Sequence, residues 1–312
     1  MDLKDQKILI TGGAGFLGKN LTNILVKEEE VPLVDIITPR SHEYDLRKSE
    51  EVERLFVEVK PNIVIHLACK QGGVGYMKQH SGQVFYENLL MNTLVAEAAR
   101  RHTVRKFVGI GTGMSYPAQA AIPLKEEDFW SGFPETGNAP YGLASRVLLA
   151  QLQFYRKDGL NGIYLILPNL YGSHDHFNPE IAHVIPSLIL RYNDAVKTRK
   201  SEVEAWGTGN ARREFLYGED AARGIILALK KYEEGAPLNL GSGEEITMRE
   251  LTEKIAKLIG YTGKIVWDVT KSEGPLRRCF DSTHAQKILG FQASISFDEG
   301  LLKTLAWYRH NV

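Results

Sequence analysis

Lys7-Ile8-Leu9-Ile10-Thr11, running directly into Gly12-Gly13-Ala14-Gly15-Phe16-Leu17-Gly18, is the stretch that decides the fold of this chain. The first five residues are a short apolar run ended by glycines, which predicts a buried strand. From Phe16 to Lys27 the apolar residues Phe16, Leu17, Leu21, Ile24 and Leu25 recur at helical spacing. Between strand and helix, Gly12, Gly15 and Gly18 spell G-x-x-G-x-x-G. Glycines let the backbone turn tightly and approach a pyrophosphate, and the helix start offers it free N–H groups and the positive end of a dipole. An ordinary strand-to-helix turn also uses glycine. The place of this one at the head of a βαβ pattern favours a dinucleotide.

The pattern continues outward. Strands are predicted over Leu33–Ile37, Asn62–Ala68 and Lys106–Ile110, and helices over Ser49–Val59 and Phe85–Arg101. The strand runs are continuously apolar rather than alternating, as expected where both faces of a parallel sheet are covered. The expected class is α/β: a Rossmann doubly wound parallel sheet with a smaller C-terminal α/β part. After Gly172 the texture changes, and aromatic, His, Pro and charged residues crowd Ser173–Arg213. The expected division is 1–172 for the dinucleotide and 173–312 for a substrate, with segments near 214–242 crossing back. Further helices are predicted over Asp220–Lys231 and Thr247–Ile259.

With 38 basic and 38 acidic residues the formal net charge is zero. No excess of Lys and Arg draws the chain to nucleic acid or a membrane surface. Cys69 and Cys279 have no metal-ligand spacing and make no disulfide framework. No apolar run reaches the roughly 18 residues of a membrane span. The charged start Met1-Asp2-Leu3-Lys4-Asp5 is not a signal peptide, so the expected location is cytoplasmic. His174, Asp175 and His176 lie too compactly on a loop to suggest a metal, and none is expected.

The end of the second strand should meet the adenosine ribose. Asp35 stands near the spacing of roughly 20 residues at which an NAD-type carboxylate occurs. The strand, however, is read as continuing past it to Pro39-Arg40-Ser41. Arg40 and Ser41 can hold a ribose 2′-phosphate, since a guanidinium matches phosphate geometry. That favours NADP, with NAD as the alternative, and leaves Asp45 and Leu46 to meet the adenine.

Gly111-Thr112-Gly113-Met114-Ser115-Tyr116-Pro117 follows the fourth strand, and Pro140-Tyr141-Gly142-Leu143-Ala144-Ser145-Arg146 opens a helix. This arrangement resembles the extended short-chain dehydrogenases/reductases, and more closely the GDP-fucose synthases, 3,5-epimerases and 4-reductases of GDP-4-keto-6-deoxymannose. The likeness covers nearly the whole chain. Its most specific stretches are His66-Leu67-Ala68 with Gly72-Gly73, Asn169-Leu170-Tyr171-Gly172 with His174–Phe177, His183-Val184-Ile185-Pro186, Trp206–Gly209 with Arg213-Glu214-Phe215, and Lys271–Gly274. Tyr141 is neutral at pH 7, because a free phenol titrates near ~10. It can donate its proton to a carbonyl oxygen as hydride reaches the carbon, and Thr112 can bind the same oxygen.

Two positions depart from the resemblance. Its lysine, one helical turn after the Tyr, is Ser145, too short and uncharged to hold the nicotinamide ribose. Arg146 is rotated by about 100° from that position. Its epimerase cysteine is Met114, whose thioether carries no proton, while its epimerase histidine is matched by His183. The resemblance further implies a cofactor lining of Leu67, Ala68, Pro168, Asn169 and Leu170, and a homodimer built through the Tyr helix. Arg191, Arg213, Arg277 and Arg278 are candidates for a substrate diphosphate, Asp281 for a ribose hydroxyl, and Asn88, Asn169, His183 and Trp206 for further substrate contacts. The expected function is an NAD(P)-dependent reductase or epimerase working at C4 of a GDP-4-keto sugar, impaired by Ser145 and Met114. Two alternatives are an epimerase or dehydratase that retains its cofactor and a non-catalytic dinucleotide-binding protein.

Overall fold

The computed structural model describes residues 1–137, 139–271 and 273–312; Ser272 of the Lys271–Gly274 stretch lies outside them. The chain runs β1 (Ile8–Thr11), α1 (Phe16–Lys27), β2 (Ile36–Ile37), α2 (Ser49–Val59), β3 (Ile63–His66), α3 (Val74–Gln79), α4 (Ser81–Arg101), β4 (Lys106–Thr112), α5 (Ala139–Tyr155), β5 (Gly162–Leu167) and β6 (Asn169–Tyr171). It continues through α6 (Val184–Lys197), β7 (Glu202–Trp206), β8 (Arg212–Tyr217), α7 (Gly218–Lys231), β9 (Pro237–Asn239), β10 (Glu245–Thr247), α8 (Met248–Ile259), β11 (Lys264–Asp268), β12 (Arg277–Arg278), α9 (Thr283–Leu289) and α10 (Phe297–Asn311).

The main sheet has the order β2-β1-β3-β4-β5-β9, and every pairing in it is parallel. Successive side chains on a strand point to opposite faces, which divides the core in two. Ile8, Ile10, Ile63 and Ile65 pack with Leu21, Ile24 and Leu25 of α1 and with Ile225 and Leu229 of α7. Leu9, Val64, Phe107 and Ile166 pack with Leu55 and Phe56 of α2, Val95 and Ala99 of α4, and Leu148 and Leu152 of α5. Each such side chain contributes roughly 1.5–3 kcal/mol on burial. This two-faced burial is why the strands read as unbroken apolar runs. The order reverses at β1, which has β2 on one side and β3 on the other, so the crevice for a ligand opens at the carboxyl ends of these strands.

The second strand is shorter than the sequence suggests. Leu33–Asp35 form a 3₁₀ turn after Pro32, and only Ile36 and Ile37 pair, with Ile8 and Leu9. The ladder can extend no further back than β1 does, so Leu33 and Val34 remain 64% and 83% exposed. Asp35 accordingly sits in the turn before the strand rather than within it. The third strand is also trimmed, to Ile63–His66, while α4 begins four residues earlier than its apolar spacing indicates, at Ser81.

The remaining strands form a small sheet in the order β10-β8-β12, with β6 also on β8, and a separate parallel pair, β11 with β7. Their core gathers Tyr171, Ile185, Ile189, Tyr192, Phe215, Leu251, Ile255 and Leu301. A capping box between Thr247 and Glu250 starts α8, and Gly260, at φ +88°, ends it. Asn239 locks the return of β9: its Oδ1 accepts from the Tyr116 hydroxyl at 2.8 Å, and its Nδ2 donates to the carbonyls of Leu124 and Asp281. Among the described residues no helix is long and apolar enough to cross a membrane.

Candidate active site

The glycine turn is built for close approach. A Cβ on Gly12, whose φ is +71°, would lie 2.8 Å from the Ala68 nitrogen, and one on Gly18 would lie 2.4 Å from the Gly13 Cα. Gly15 caps α1 without a side-chain hydrogen bond, and the first turn carries no acid. The N–H groups there thus face the crevice with no carboxylate to compete with a phosphate. Phe16 and Leu17 point inward: Phe16 abuts Gly218, and Leu17 packs on the core. These residues fit a dinucleotide pyrophosphate. Arg40 and Ser41 are exposed beyond β2; the Arg40 backbone N–H donates to Glu43, a contact that leaves the guanidinium unused. Asp45 holds Arg47 at 2.8 Å, which depresses its carboxyl, and Leu46 packs on the core.

At the end of β3, Leu67 N–H donates to the Thr11 carbonyl, and Ala68 N–H reaches the Thr11 hydroxyl at 3.4 Å. Asn88 clamps Lys70, two residues on, accepting from its N–H and donating to its carbonyl, both at 2.8 Å. Asn88 is 1% exposed and its amide is fully engaged. These bonds hold the loop that follows β3. His66, also buried, joins Thr11 to Asn92, and Asn92 donates to the Ala144 carbonyl at 3.0 Å. The strand that ends in the glycine turn is thereby tied to the Tyr141 helix.

Thr112 closes β4, its hydroxyl accepting from Met114 N–H. Helix α5 comes so near this turn that a Cβ on Gly142 would lie 2.4 Å from the Met114 carbonyl oxygen. Tyr141 stands next to Gly142 in the first turn of α5, the helix that packs on this turn. Burial first, and then the adjacent Cys69, hold its phenol well above the usual range, so it is a proton donor at neutral pH. Ser145 is 4% exposed, and its carbonyl accepts from the Tyr164 hydroxyl at 3.0 Å. Arg146 donates instead to the carbonyls of Ser115 and Gly132, each at 2.7 Å, so its guanidinium fixes those two loops.

His183 caps α6 half-buried, and its Ala182 neighbour faces Gly73. Burial, then the charge of His176, lowers its pKa, so it is a free base at neutral pH. Asp175 is buried with one carboxylate oxygen lacking a protein partner, and burial pushes it up to about 7. Among the described residues no three His, Cys, Asp or Glu side chains converge as a metal site.

On the substrate side Arg278 pairs in register with Arg213 across β12 and β8. The register brings the two residues side by side, and burial, then the Arg278 charge, lowers the Arg213 pKa. Arg213 donates to the Glu273 carbonyl at 2.8 Å, and Arg278 faces Glu135. Strand alternation turns Arg277 the other way, where it grips Glu245 at 2.8–3.0 Å. Arg191 donates to the Glu204 carbonyl, Asn169 to that of Glu214, and Asp281 accepts from Thr283 at the start of α9. Trp206 is 53% exposed at the end of β7, Pro168 precedes β6 and Leu170 is its central residue. Sequence reasoning missed Cys69 as a neighbour of Tyr141.

A glycine turn at the switch point of a doubly wound sheet defines a Rossmann-type dinucleotide-binding protein. The chain matches the NAD dependent epimerase/dehydratase family over residues 8–241. GDP-L-fucose synthase 1 of Arabidopsis thaliana is 34% identical over 313 residues, covering 100% of this chain and 96% of the relative. The crystal structure of a GDP-L-fucose synthetase from Naegleria fowleri bound to NADP has a TM-score of 0.89 at 26% identity, covering 99% of this chain and 95% of that one. That of a GDP-6-OMe-4-keto-L-xylo-heptose reductase from C. jejuni has a TM-score of 0.92 at 25% identity, covering 99% of both chains. This chain belongs to the NAD dependent epimerase/dehydratase family.

Proposed function

We propose that this protein is an NADP-dependent reductase acting at C4 of a GDP-linked 4-keto sugar, with 3,5-epimerisation weakened or lost. The observation that carries this reading is the packing of Gly142 against the Met114 carbonyl, which brings the start of α5, where the neutral Tyr141 stands, to the end of β4. The dinucleotide, when bound, supplies hydride. Gly12, Gly15 and Gly18 hold its pyrophosphate, Arg40 and Ser41 its 2′-phosphate. Tyr141 gives its proton to the C4 oxygen, and Thr112 hydrogen-bonds that oxygen. Residues 1–172 serve the dinucleotide and 173–312 the sugar nucleotide, with 214–242 returning to the main sheet.

Epimerisation next to a ketone needs one group to remove a proton and another to return one to the opposite face. His183 can do the first, whereas Met114 has no proton for the second. The names of relatives that act on GDP-linked sugars, a heptose reductase among them, support the substrate class. Exposed Tyr86 on α4 and Val147 and Phe154 on α5 support a homodimer through these helices.

The test is purified protein with NADPH and GDP-4-keto-6-deoxymannose in D₂O. NADPH absorbance should fall, and NMR should show a C4 alcohol with little deuterium at C3 and C5. Conversion without net NADPH consumption would point to an epimerase or dehydratase instead. Ser145 and Met114 also favour a binding-only protein, for which calorimetry would show cofactor binding and no response to the sugar nucleotide.

A further inference from the structure

Glu214 follows Arg213 on β8 and is completely buried. Its carboxylate holds two loops at once. Oε2 accepts from the Phe280 N–H at 2.7 Å, and Oε1 accepts from the Gly243 N–H at 3.1 Å and the Ser242 hydroxyl at 3.4 Å. A Cβ on Gly241 would lie 2.2 Å from Oε1, so the chain leaving β9 is drawn tightly over the same group. Hydrogen bonds to an ionised acceptor are roughly twice as strong as neutral ones. On its other edge the backbone around Phe280 is held by Leu124, whose N–H donates to the Cys279 carbonyl at 2.8 Å and whose carbonyl accepts from the Asp281 N–H at 2.9 Å. Phe280 is therefore fixed from both sides. Its ring reaches the turn after β4: a Cβ on Gly113 would lie 2.6 Å from the Phe280 Cζ, and the ring meets Tyr116 edge-on at 6.1 Å between centroids. At one end this brace adjoins Arg213 and Arg278, which pair across β8 and β12. At the other it presses on the residue between Thr112 and Met114.

We propose that Glu214 is a positioning residue for the reduction: by fixing the Phe280 backbone it sets the separation between the diphosphate-binding arginines and the Thr112 turn. A sugar held by its nucleotide end then arrives with its keto carbon at the catalytic turn. The inference rests on the C4-reductase reading above. Being fully buried, Glu214 touches neither sugar nor coenzyme and acts through Phe280. A nucleotide-linked sugar is anchored at a distance from its reacting carbon. Binding energy from that remote end speeds the chemistry only when anchor and catalytic groups keep a set spacing, and a misplacement of about 1 Å can cost about a hundredfold. The Phe280 ring is the spacer, Gly113 leaves the room it fills, and the carboxylate keeps it from sliding. Glutamine is a poor replacement, because it has one acceptor oxygen for two backbone N–H groups and would turn its own N–H toward the other.

Two measurements test this. The first compares reduction by NADPH of the GDP-linked 4-keto sugar and of the free 4-keto sugar in the wild type, Glu214→Gln and Phe280→Leu. Phe280→Leu keeps the backbone bond to Glu214 and shortens the spacer. In both variants kcat for the GDP-linked sugar should fall by about a hundredfold. The kcat/KM for the free sugar and the Kd for GDP, read by calorimetry, should each change by less than about threefold, because neither uses the spacing. A general structural defect would slow both sugars together, so equal losses on the two, or a loss confined to GDP affinity, would overturn the proposal. In the second, which needs neither coenzyme nor sugar, backbone hydrogen exchange is followed by peptide mass spectrometry. Glu214→Gln should speed exchange at Phe280 and across residues 112–116, with the β1 peptide unchanged. Unaltered exchange across 112–116 would show that the two ends are not joined. If the exchange result holds and the wild type reduces neither sugar, the brace stands and the C4-reductase reading has failed.

Discussion

The His66 imidazole and the Asn92 amide oxygen lie 3.0 Å apart, and the position of the proton between them is forced. Asn92 Nδ2 already donates to the Ala144 carbonyl, so Oδ1 is the atom facing His66. Nε2 must then carry the hydrogen, and Nδ1 must accept from the Thr11 hydroxyl, 2.7 Å away. The ring is a neutral strut between the glycine-turn strand and the helix that carries Tyr141.

This strut predicts an acid-sensitive fold. Burial lowers the His66 pKa from 6.5 to about 4. Between those values the unfolded chain binds more protons than the native one, so stability is fully present above about pH 6.5 and is lost as pH falls toward 4. The gap corresponds to about 3 kcal/mol at most. Urea denaturation at pH 7 and pH 5 should show a marked loss for the wild type and a flatter response for His66→Gln, which starts from lower stability. Equal pH slopes in both proteins would contradict this.

The two arginine faces of β12 should separate in kinetics. Arg278 stands in register with Arg213, whereas Arg277 grips Glu245. Charged hydrogen bonds contribute about 1.5–3 kcal/mol, so Arg213→Ala and Arg278→Ala should each raise KM for the GDP-sugar by roughly ten- to a hundredfold. Arg277→Ala should stay within about twofold. A larger effect at Arg277 than at Arg278 would reverse the assignment.

Arg40 should set coenzyme choice. Calorimetry on Arg40→Ala should show NADPH affinity reduced by about ten- to a hundredfold, with NADH affinity nearly unchanged, as a lost phosphate contact requires. A parallel loss for both coenzymes would place the 2′-phosphate elsewhere.

The departures at Ser145 and Met114 should be reversible in part, and each should affect a different step. Met114→Cys supplies a proton donor for epimerisation, so deuterium should enter C3 and C5 of the product in D₂O. Ser145→Lys should raise turnover by about a hundredfold if the missing charge limits reduction. Since the Tyr164 hydroxyl bonds only the backbone carbonyl of Ser145, that bond does not depend on the side chain at 145, and Ser145→Lys is to be tested alone and with Met114→Cys. No gain in any combination would show that the chemistry has moved away from these positions.

The glycine turn, the parallel strands and the Tyr141 helix were legible because each is written in contiguous residues. Two-sided burial makes β1, β3 and β4 continuous apolar runs, and period-3.6 spacing marks α1 and α2. Strand β2 was overread because Leu33 and Val34 are apolar but have no ladder partner. The small sheets were not legible: β7 and β11 lie far apart in sequence, and each takes its identity from the other. The same holds in the site. Strand alternation, which needs the β8–β12 pairing, separates Arg278 from Arg277.

The late return of Pro237–Asn239 has a consequence for biosynthesis. Those residues cover the outer edge of β5, pairing Tyr164 with Pro237 and Ile166 with Asn239. A nascent chain leaving the ribosome completes five strands of the main sheet long before the sixth exists. Through that interval β5 presents an apolar strand with unpaired backbone groups, the kind of edge that recruits other chains. Translation stalled short of Asn239 should therefore yield a sticky, chaperone-dependent intermediate rather than a finished amino-terminal half.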